Sequence, residues 1–527
     1  MKKLKHLTVC SKYLFQYCMY VSVMCLLAIS FGIASTYYVA TNGNDNSSGS
    51  KDNPFATIQK AADRVATGDT VYIRGGIYKI TKSATRGAGI RFTKSGTSEK
   101  RICYWAYPNE IPVFDFSRMP ISKSTYTHGF EVTGSWLHFK GLELCNVPMN
   151  INSNCAITVN NCSNNIFELL NLHHNNGTGI FIRKGRGGHL ILNCDSHDNY
   201  DPDGRQGDGQ NADGFGVHYQ TSGAITIIRG CRAWWNSDDG YDLISQEVPV
   251  IIENCWAMGS GYANYGTTKP KDGNGAGFKV GSSKTGIRHI VRNCIAWKNE
   301  VQGFYANHSS GGNTWYNNTS YKNGRQYDML ASTWNASGKR KDGVILTGSK
   351  VHIMRNNIGF PNNNKNMNGV DSKFNTWDLN ITPSEKDFLS IDDPSMTVKN
   401  PSVTTTLGAL GPRQPDGSLP NVDFLKLAPE SRMINAGTNV ELPFEASAPD
   451  LGAYEYNEKA STMRYQPPTQ RKRLFPEEET SIQKIHFFDI SGRRLDSKMI
   501  QSLSKLFIYQ KLQPNGSRRA YTILRIR

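Results

Sequence analysis

Two positions that recur along the chain gather its most reactive residue types. Four short segments align on a glycine: Asp213-Gly-Phe-Gly216, Asp239-Gly-Tyr-Asp242, Ala276-Gly-Phe-Lys279 and Gln302-Gly-Phe-Tyr305. The position before the glycine reads Asp213, Asp239, Ala276, Gln302; two after it stand Gly216, Asp242, Lys279 and Tyr305. Asp238 adds a further carboxylate at the turn. If these segments are strands in neighbouring rungs, about 4.8 Å apart, the aspartates converge and repel one another unless something neutralises them. Hard oxygen donors without Cys or His favour Ca2+. Asp and Gly are ordinary turn residues, so one Asp-Asp-Gly would carry no message. The recurrence in one frame does, with Lys279 one rung from Asp242. Lys279 is either an ion-pair partner of Asp242 or a general base. The second role needs a pKa below the usual ~10.4, and a cation close by disfavours the ammonium.

The elements that would position these residues form a repeat. Apolar runs such as Leu190-Ile-Leu, Val250-Ile-Ile and His289-Ile-Val lead into Asn193-Cys194, Asn254-Cys255 and Asn293-Cys294, with Gly230-Cys231 and Asn317-Asn318 in the same frame. Five residues later come Asn199, Asn236, Ser260, Asn299 and Asn323; Leu170 and Asn175 extend the frame backward. From Leu170 onward the spacings are 24, 37, 24, 39 and 24. The two long ones contain insertions, residues 201–211 and 262–274. Short strands at such a period share one continuous core when stacked as coils. The expected fold is all-β, a right-handed parallel β-helix. Cys194, Cys231, Cys255 and Cys294 then stack in one interior column, as free thiols rather than disulfides, and the Asn positions form a turn ladder. Helical apolar spacing over Pro54–Val65, before the strand-like Asp69–Arg74, predicts a helix capping the N-terminal end.

The ends differ from the middle. Lys2, Lys3 and Lys5 precede an apolar stretch, Met19 to Ile33, and small residues, so residues 1–34 read as a secretory signal rather than a membrane anchor. Residues 35–458 form the expected catalytic β-helix, 459–480 a Pro- and charge-rich linker, and 481–527 a small β tail. That tail resembles the type IX sorting domain of exported Bacteroidetes proteins, which implies a secreted, periplasmic or outer-surface location in a Gram-negative cell. The formal charge of +16 invites a nucleic-acid reading, but it divides as +4 in residues 1–34, +10 in 459–527 and only +2 in 35–458. The near-neutral body argues against nucleic acid, and no stable membrane span is expected. With 38% hydrophobic residues the chain can build a large core, and a monomer is expected.

Asn211-Ala-Asp213-Gly-Phe-Gly, Asn236-Ser-Asp238-Asp239-Gly-Tyr-Asp242 and Gly277-Phe-Lys279-Val-Gly together resemble polysaccharide lyase family 9, the β-helical pectate lyases and their relatives. The resemblance runs from about Tyr37 to Pro449-Asp-Leu-Gly-Ala-Tyr-Glu455. It implies calcium held by Asp213, Asp238, Asp239 and Asp242, with Lys279 as base in a β-elimination on an acidic polysaccharide, cleaving 4-linked galacturonate in pectin. Tyr305, Asn307 and Lys271 are candidate substrate contacts, with Lys269 and Lys284 on the flanking loops. Trp234 and Trp297 share a coil position and read as packing residues. Three alternatives stay open. One is the same mechanism on rhamnogalacturonan I. A polygalacturonase-type hydrolase would need Gly-His-Gly and Arg-Ile-Lys elements, which the sequence lacks. A non-catalytic carbohydrate-binding module or adhesin would leave Lys279 beside four aspartates unexplained.

Overall fold

The computed structural model describes residues 34–83, 87–121, 126–150, 154–281, 286–392 and 409–457, and the backbone of three further strands near the C-terminus. The expected signal (apart from Ala34), the linker and Lys284 lie outside these residues. The chain divides into two compact units, Met1–Met463 and Arg464–Arg527. No helix among the described residues is long and apolar enough to cross a membrane.

The first unit is a parallel β-helix. Its coils lay strands into three parallel sheets of twelve, nine and ten strands among the described residues. The turn between the twelve- and ten-stranded sheets explains the Asn and Gly before each Cys. Asn193, Gly230, Asn254, Asn293 and Asn317 have φ of 53°, 65°, 53°, 52° and 51°. This left-handed conformation is costly for most residues and cheap for Asn and Gly. The next residue turns inward. Cys194, Cys231, Cys255 and Cys294 are fully buried and carry free thiols. Cys231 Sγ accepts the Cys194 N–H and Cys255 Sγ the Cys231 N–H, each at 3.4 Å. Further along, Asn318 assumes that duty, accepting from the Cys294 N–H at 3.0 Å.

The expected Asn ladder is present. Asn199 donates from Nδ2 to Asn236 Oδ1 at 2.8 Å and accepts from Asn175 Nδ2 at 3.0 Å. Asn323 Oδ1 likewise accepts from Asn299 Nδ2 at 2.8 Å. Buried amides stacked at rung spacing satisfy one another, as buried polar groups must.

The coil interior is filled by aligned side chains. Phe215, Tyr241, Phe278, Phe304 and Tyr327 stack with ring centroids 5.1, 4.6, 4.9 and 5.1 Å apart. The N-terminal helix is Ile58–Arg64, shorter than its periodicity suggests, with the Thr57 side chain capping the Lys60 N–H. Its buried face (Ile58, Ala61, Ala62) joins the same apolar cluster as Ile90 and Phe92. A second cluster lies on the outer face of the ten-stranded sheet, where Trp256, Trp297 and Tyr321 meet Phe424, Leu427 and Leu451 of the C-terminal segment. In the second unit, His486–Phe488, Phe507–Leu512 and Arg518–Leu524 form a three-stranded antiparallel sheet.

Candidate active site

The nine-stranded sheet carries the residues singled out in the sequence. Its strands Phe215–His218, Tyr241–Ile244, Ala276–Gly281 and Gln302–Tyr305 pair in parallel with Gly216, Asp242, Lys279 and Tyr305 in register. Strand alternation sends Phe215, Tyr241 and Phe278 into the core and Gly216, Asp242 and Lys279 outward. The aspartates before the glycines sit at the turns entering the strands. Gly214, Gly240 and Gly277 are required there: a Cβ at Gly214 or Gly240 would lie 2.6 Å from the carbonyl oxygen of the next rung's glycine.

Lys279 Nζ donates to Asp239 Oδ2 at 2.8 Å and lies 3.5 Å from Asp242 Oδ2. Asp239 is fully buried, and its Oδ1 accepts from the Ala276 N–H at 2.8 Å. Asp213 Oδ1 accepts from the Asp239 N–H at 3.3 Å. Asp238 Oδ1 accepts from the backbone and side-chain nitrogens of Asn274, at 2.6 and 2.8 Å. One carboxylate oxygen from each of Asp213, Asp238 and Asp239 falls within 4.8 Å of the others. Asp213, Asp242 and His218 make a second such group. Asp242 Oδ1 is buried without a hydrogen-bond partner, so part of the cluster's acceptor capacity is unused.

The two insertions buttress this cluster and lock onto each other. The Asp208 N–H donates to Asp272 Oδ2 at 3.1 Å, and the Lys271 N–H returns one to Asp208 Oδ2 at 3.1 Å. From the first insertion Asp201 reaches Ser237 Oγ at 3.3 Å, and from the second Asn274 holds Asp238.

Burial and mutual repulsion set the electrostatics. Burial, then the neighbouring aspartates, pushes the carboxyls of Asp213 and Asp238 well above their ordinary range. Asp239 is pushed up by burial to about 6, even with Lys279 drawing it down. For Asp242, burial is outweighed by Lys279 and His218, which hold it below its usual value. Burial alone would lower Lys279, but Asp239, Asp242, Asp238 and Asp213 together raise it well above that of a free lysine. Without another cation, Lys279 is the cluster's counter-ion and stays protonated.

Residues 37–343 match the family described as "Pel9A-like, right handed beta helix region". The chain belongs to this family, the polysaccharide lyases of family 9. It is 35% identical to pectate lyase L of Dickeya dadantii over 82% of this chain and 94% of that protein. The solved structure of pectate lyase Pel9A shares 33% identity and a TM-score of 0.66, covering 81% of this chain and 98% of Pel9A. A rhamnogalacturonan lyase structure shares 31% identity and a TM-score of 0.64, over 75% of this chain and 97% of that one.

This family 9 lyase brings Asp213, Asp238, Asp239, Asp242 and Lys279 together, with Tyr305 in the next rung. It does not bring Asn307 or Lys271 onto the strand face. Asn307 follows the end of its strand in a left-handed turn (φ 42°) and is buried, while Lys271 stands exposed on the second insertion. Lys269 pairs with Glu300 at 2.6 Å. Trp234 stacks on His197 at 4.0 Å, and Trp297 packs on Phe424, both away from the aspartates. One residue escaped the sequence reading. His218 lies two residues beyond Gly216 on the same outward face, with Nε2 3.3 Å from Asp242 Oδ2. Strand alternation from Gly216 was the signal that could have found it.

Proposed function

We propose that this lyase cleaves 4-linked galacturonosyl bonds of pectin by calcium-dependent β-elimination, with Lys279 as the base. The observation that carries the reading is the buried contact of Lys279 with Asp239 inside a cluster of aspartates whose oxygens converge. The donor set fits Ca2+: it is hard and anionic, and it includes an orphaned buried oxygen on Asp242. Asp213, Asp238, Asp239 and Asp242 would hold the ion. When bound, it would take up the charge that keeps Lys279 protonated and draw electron density from the substrate carboxylate, acidifying the C5 proton beside it.

Neutral Lys279 then accepts the C5 proton. The electrons of the C5–H bond form the C4–C5 double bond, the C4–O bond breaks, and the departing glycosidic oxygen takes a proton from water. The product is a 4,5-unsaturated uronate. Tyr305, paired with Lys279 in the next rung, would contact the sugar on the base side. An extracellular polymer also accords with the signal-like start of the chain.

The near-equal similarity to a rhamnogalacturonan lyase favours a second reading, in which the same residues act on the galacturonate of rhamnogalacturonan I. One experiment tests both. Purified protein is offered polygalacturonate and rhamnogalacturonan I separately, with calcium and then with chelator, and ultraviolet absorbance of the unsaturated product is followed. Absorbance from polygalacturonate that chelator abolishes is expected. No absorbance from either polymer refutes the lyase assignment on these substrates, and absorbance indifferent to chelator refutes the calcium role.

A further inference from the structure

We propose that Arg183, Phe181, Gly216 and His218 form a subsite for a uronate residue of the bound chain, beside Asp242 and on the side away from Lys279. The inference rests on the proposed action on a polyuronate and names how that polymer is gripped.

The strand Thr178–Arg183 is the rung before Phe215–His218, with Phe181 opposite Gly216 and Arg183 opposite His218. All four lie on the outward face that carries Asp242. Arginines elsewhere on these sheets have carboxylate partners: Arg91 reaches Glu131 at 2.6 Å and Arg325 reaches Asp328 at 3.0 Å. Arg183 has none among the described residues, and its Nε is buried without a hydrogen-bond partner. His218, 8% exposed, turns its Nε2 to Asp242 at 3.3 Å, so it offers Arg183 no acceptor and walls this rung on the Asp242 side. A buried guanidinium N–H is expensive to leave unpaired. Arg183 calls for an acceptor that the described residues do not supply.

Gly216 lets the Phe181 ring lie close against the sheet beside that guanidinium. A Cβ there would lie 2.9 Å from Phe181 Cδ2 and 3.7 Å from His218 Nε2. The missing side chain is what leaves space for the Phe181 ring across Gly216. The His218 ring stands edge-on to Phe181 at 4.8 Å, and the Arg183 guanidinium lies 5.7 Å from the Phe181 ring centroid. An apolar ring on the outward face beside a guanidinium suits a sugar that carries a carboxylate, because the guanidinium can grip both oxygens at once. In a polyuronate every residue brings such a carboxylate. A chain presenting one uronate to Asp242 and Lys279 would therefore present a neighbour to Arg183.

The test measures binding apart from turnover. An oligogalacturonate is titrated calorimetrically, with calcium present, into Lys279→Ala and into Lys279→Ala/Arg183→Gln. The second protein should bind at least about tenfold more weakly, the cost of one charge-assisted contact, with Arg183→Lys recovering part of the loss. In the active background Arg183→Gln should raise KM rather than lower kcat, and calcium affinity measured without sugar should stay at the wild-type value. Unchanged oligogalacturonate affinity overturns the subsite, as does a loss traced to calcium affinity alone. If Arg183→Gln melts below the wild type, Phe181→Leu must weaken oligogalacturonate binding at unchanged calcium affinity or the proposal fails. If the wild type yields no unsaturated product yet binds the oligomer through Arg183, the lyase reading fails and the subsite stands.

Discussion

Lys279 holds two positions at once: it is the counter-ion of the aspartates and the only lysine in contact with them among the described residues. Removing it separates the two roles. Lys279→Met should lower kcat by about 10²–10⁴-fold, the range for losing a general base. It should leave calcium affinity intact or tighter, because the variant lacks the ammonium that competes for Asp239 and Asp242. Steady-state absorbance assays beside a calorimetric calcium titration check both halves. The aspartates predict the pH response. Asp239 titrates at about 6 in the fold, against ~3.9 in an unfolded chain. Between those values the native state holds the extra proton, so cation-free stability falls as pH rises toward 6. The higher carboxyls of Asp213 and Asp238 extend that fall upward. Calcium must displace these protons at low pH and meets free carboxylates at high pH. The rise in melting temperature on adding calcium should therefore be larger at pH 8 than at pH 5, by thermal denaturation with and without chelator.

At the scale of the coil, stability depends on ladders rather than single contacts. Asn199 Nδ2 also contacts Ser196 Oγ at 3.1 Å, and its Oδ1 accepts from the Asn175 N–H at 3.1 Å. Asn199→Ala would leave buried donors on one rung and an acceptor on the next unpaired. The expected loss is about 1–3 kcal/mol for each such group, read as a lowered denaturation midpoint, while Asn53→Ala on an exposed loop serves as a neutral control. The same regularity explains what the sequence disclosed. Cys and Asn recur because the turn repeats, so their column, the parallel coil and the alignment of Asp242 with Lys279 could all be read from spacing. Asn307 could not: spacing places it two residues past Tyr305, but the strand ends first and the chain turns. Arg183 was hidden for the opposite reason. It stands outside the repeated columns, and only the pairing of neighbouring strands sets it beside His218. The interlocking of the two insertions was equally silent, since Asp208 and Asp272 lie 64 residues apart in sequence.

For the molecule as a whole, the question is which part of the charge does work. The net +16 belongs mostly to the ends, and the residues that would meet substrate lie on one face of one sheet in the first unit. The aspartates, Lys279, Arg183 and both insertions fall within Met1–Met463, and the basic segment from Arg464 onward forms a separate compact unit. If the attraction for a polyanion were diffuse, deleting the basic tail would weaken it. If it is local, through the cation site and Arg183, the tail is dispensable for catalysis. A protein ending at Met463 should keep kcat/KM on polygalacturonate within about twofold of the full chain, and its rate should lose no more with added salt than the full chain's does. Long-range steering by a basic surface is screened over about 8–10 Å at physiological salt, so a tail that recruits substrate would show a steep salt dependence that the shortened chain lacks. Parallel assays of the two proteins from low to moderate ionic strength distinguish these cases. Equal salt slopes with equal kcat/KM place recognition in the groove, and a flatter slope with a lower kcat/KM in the shortened chain places it in the tail.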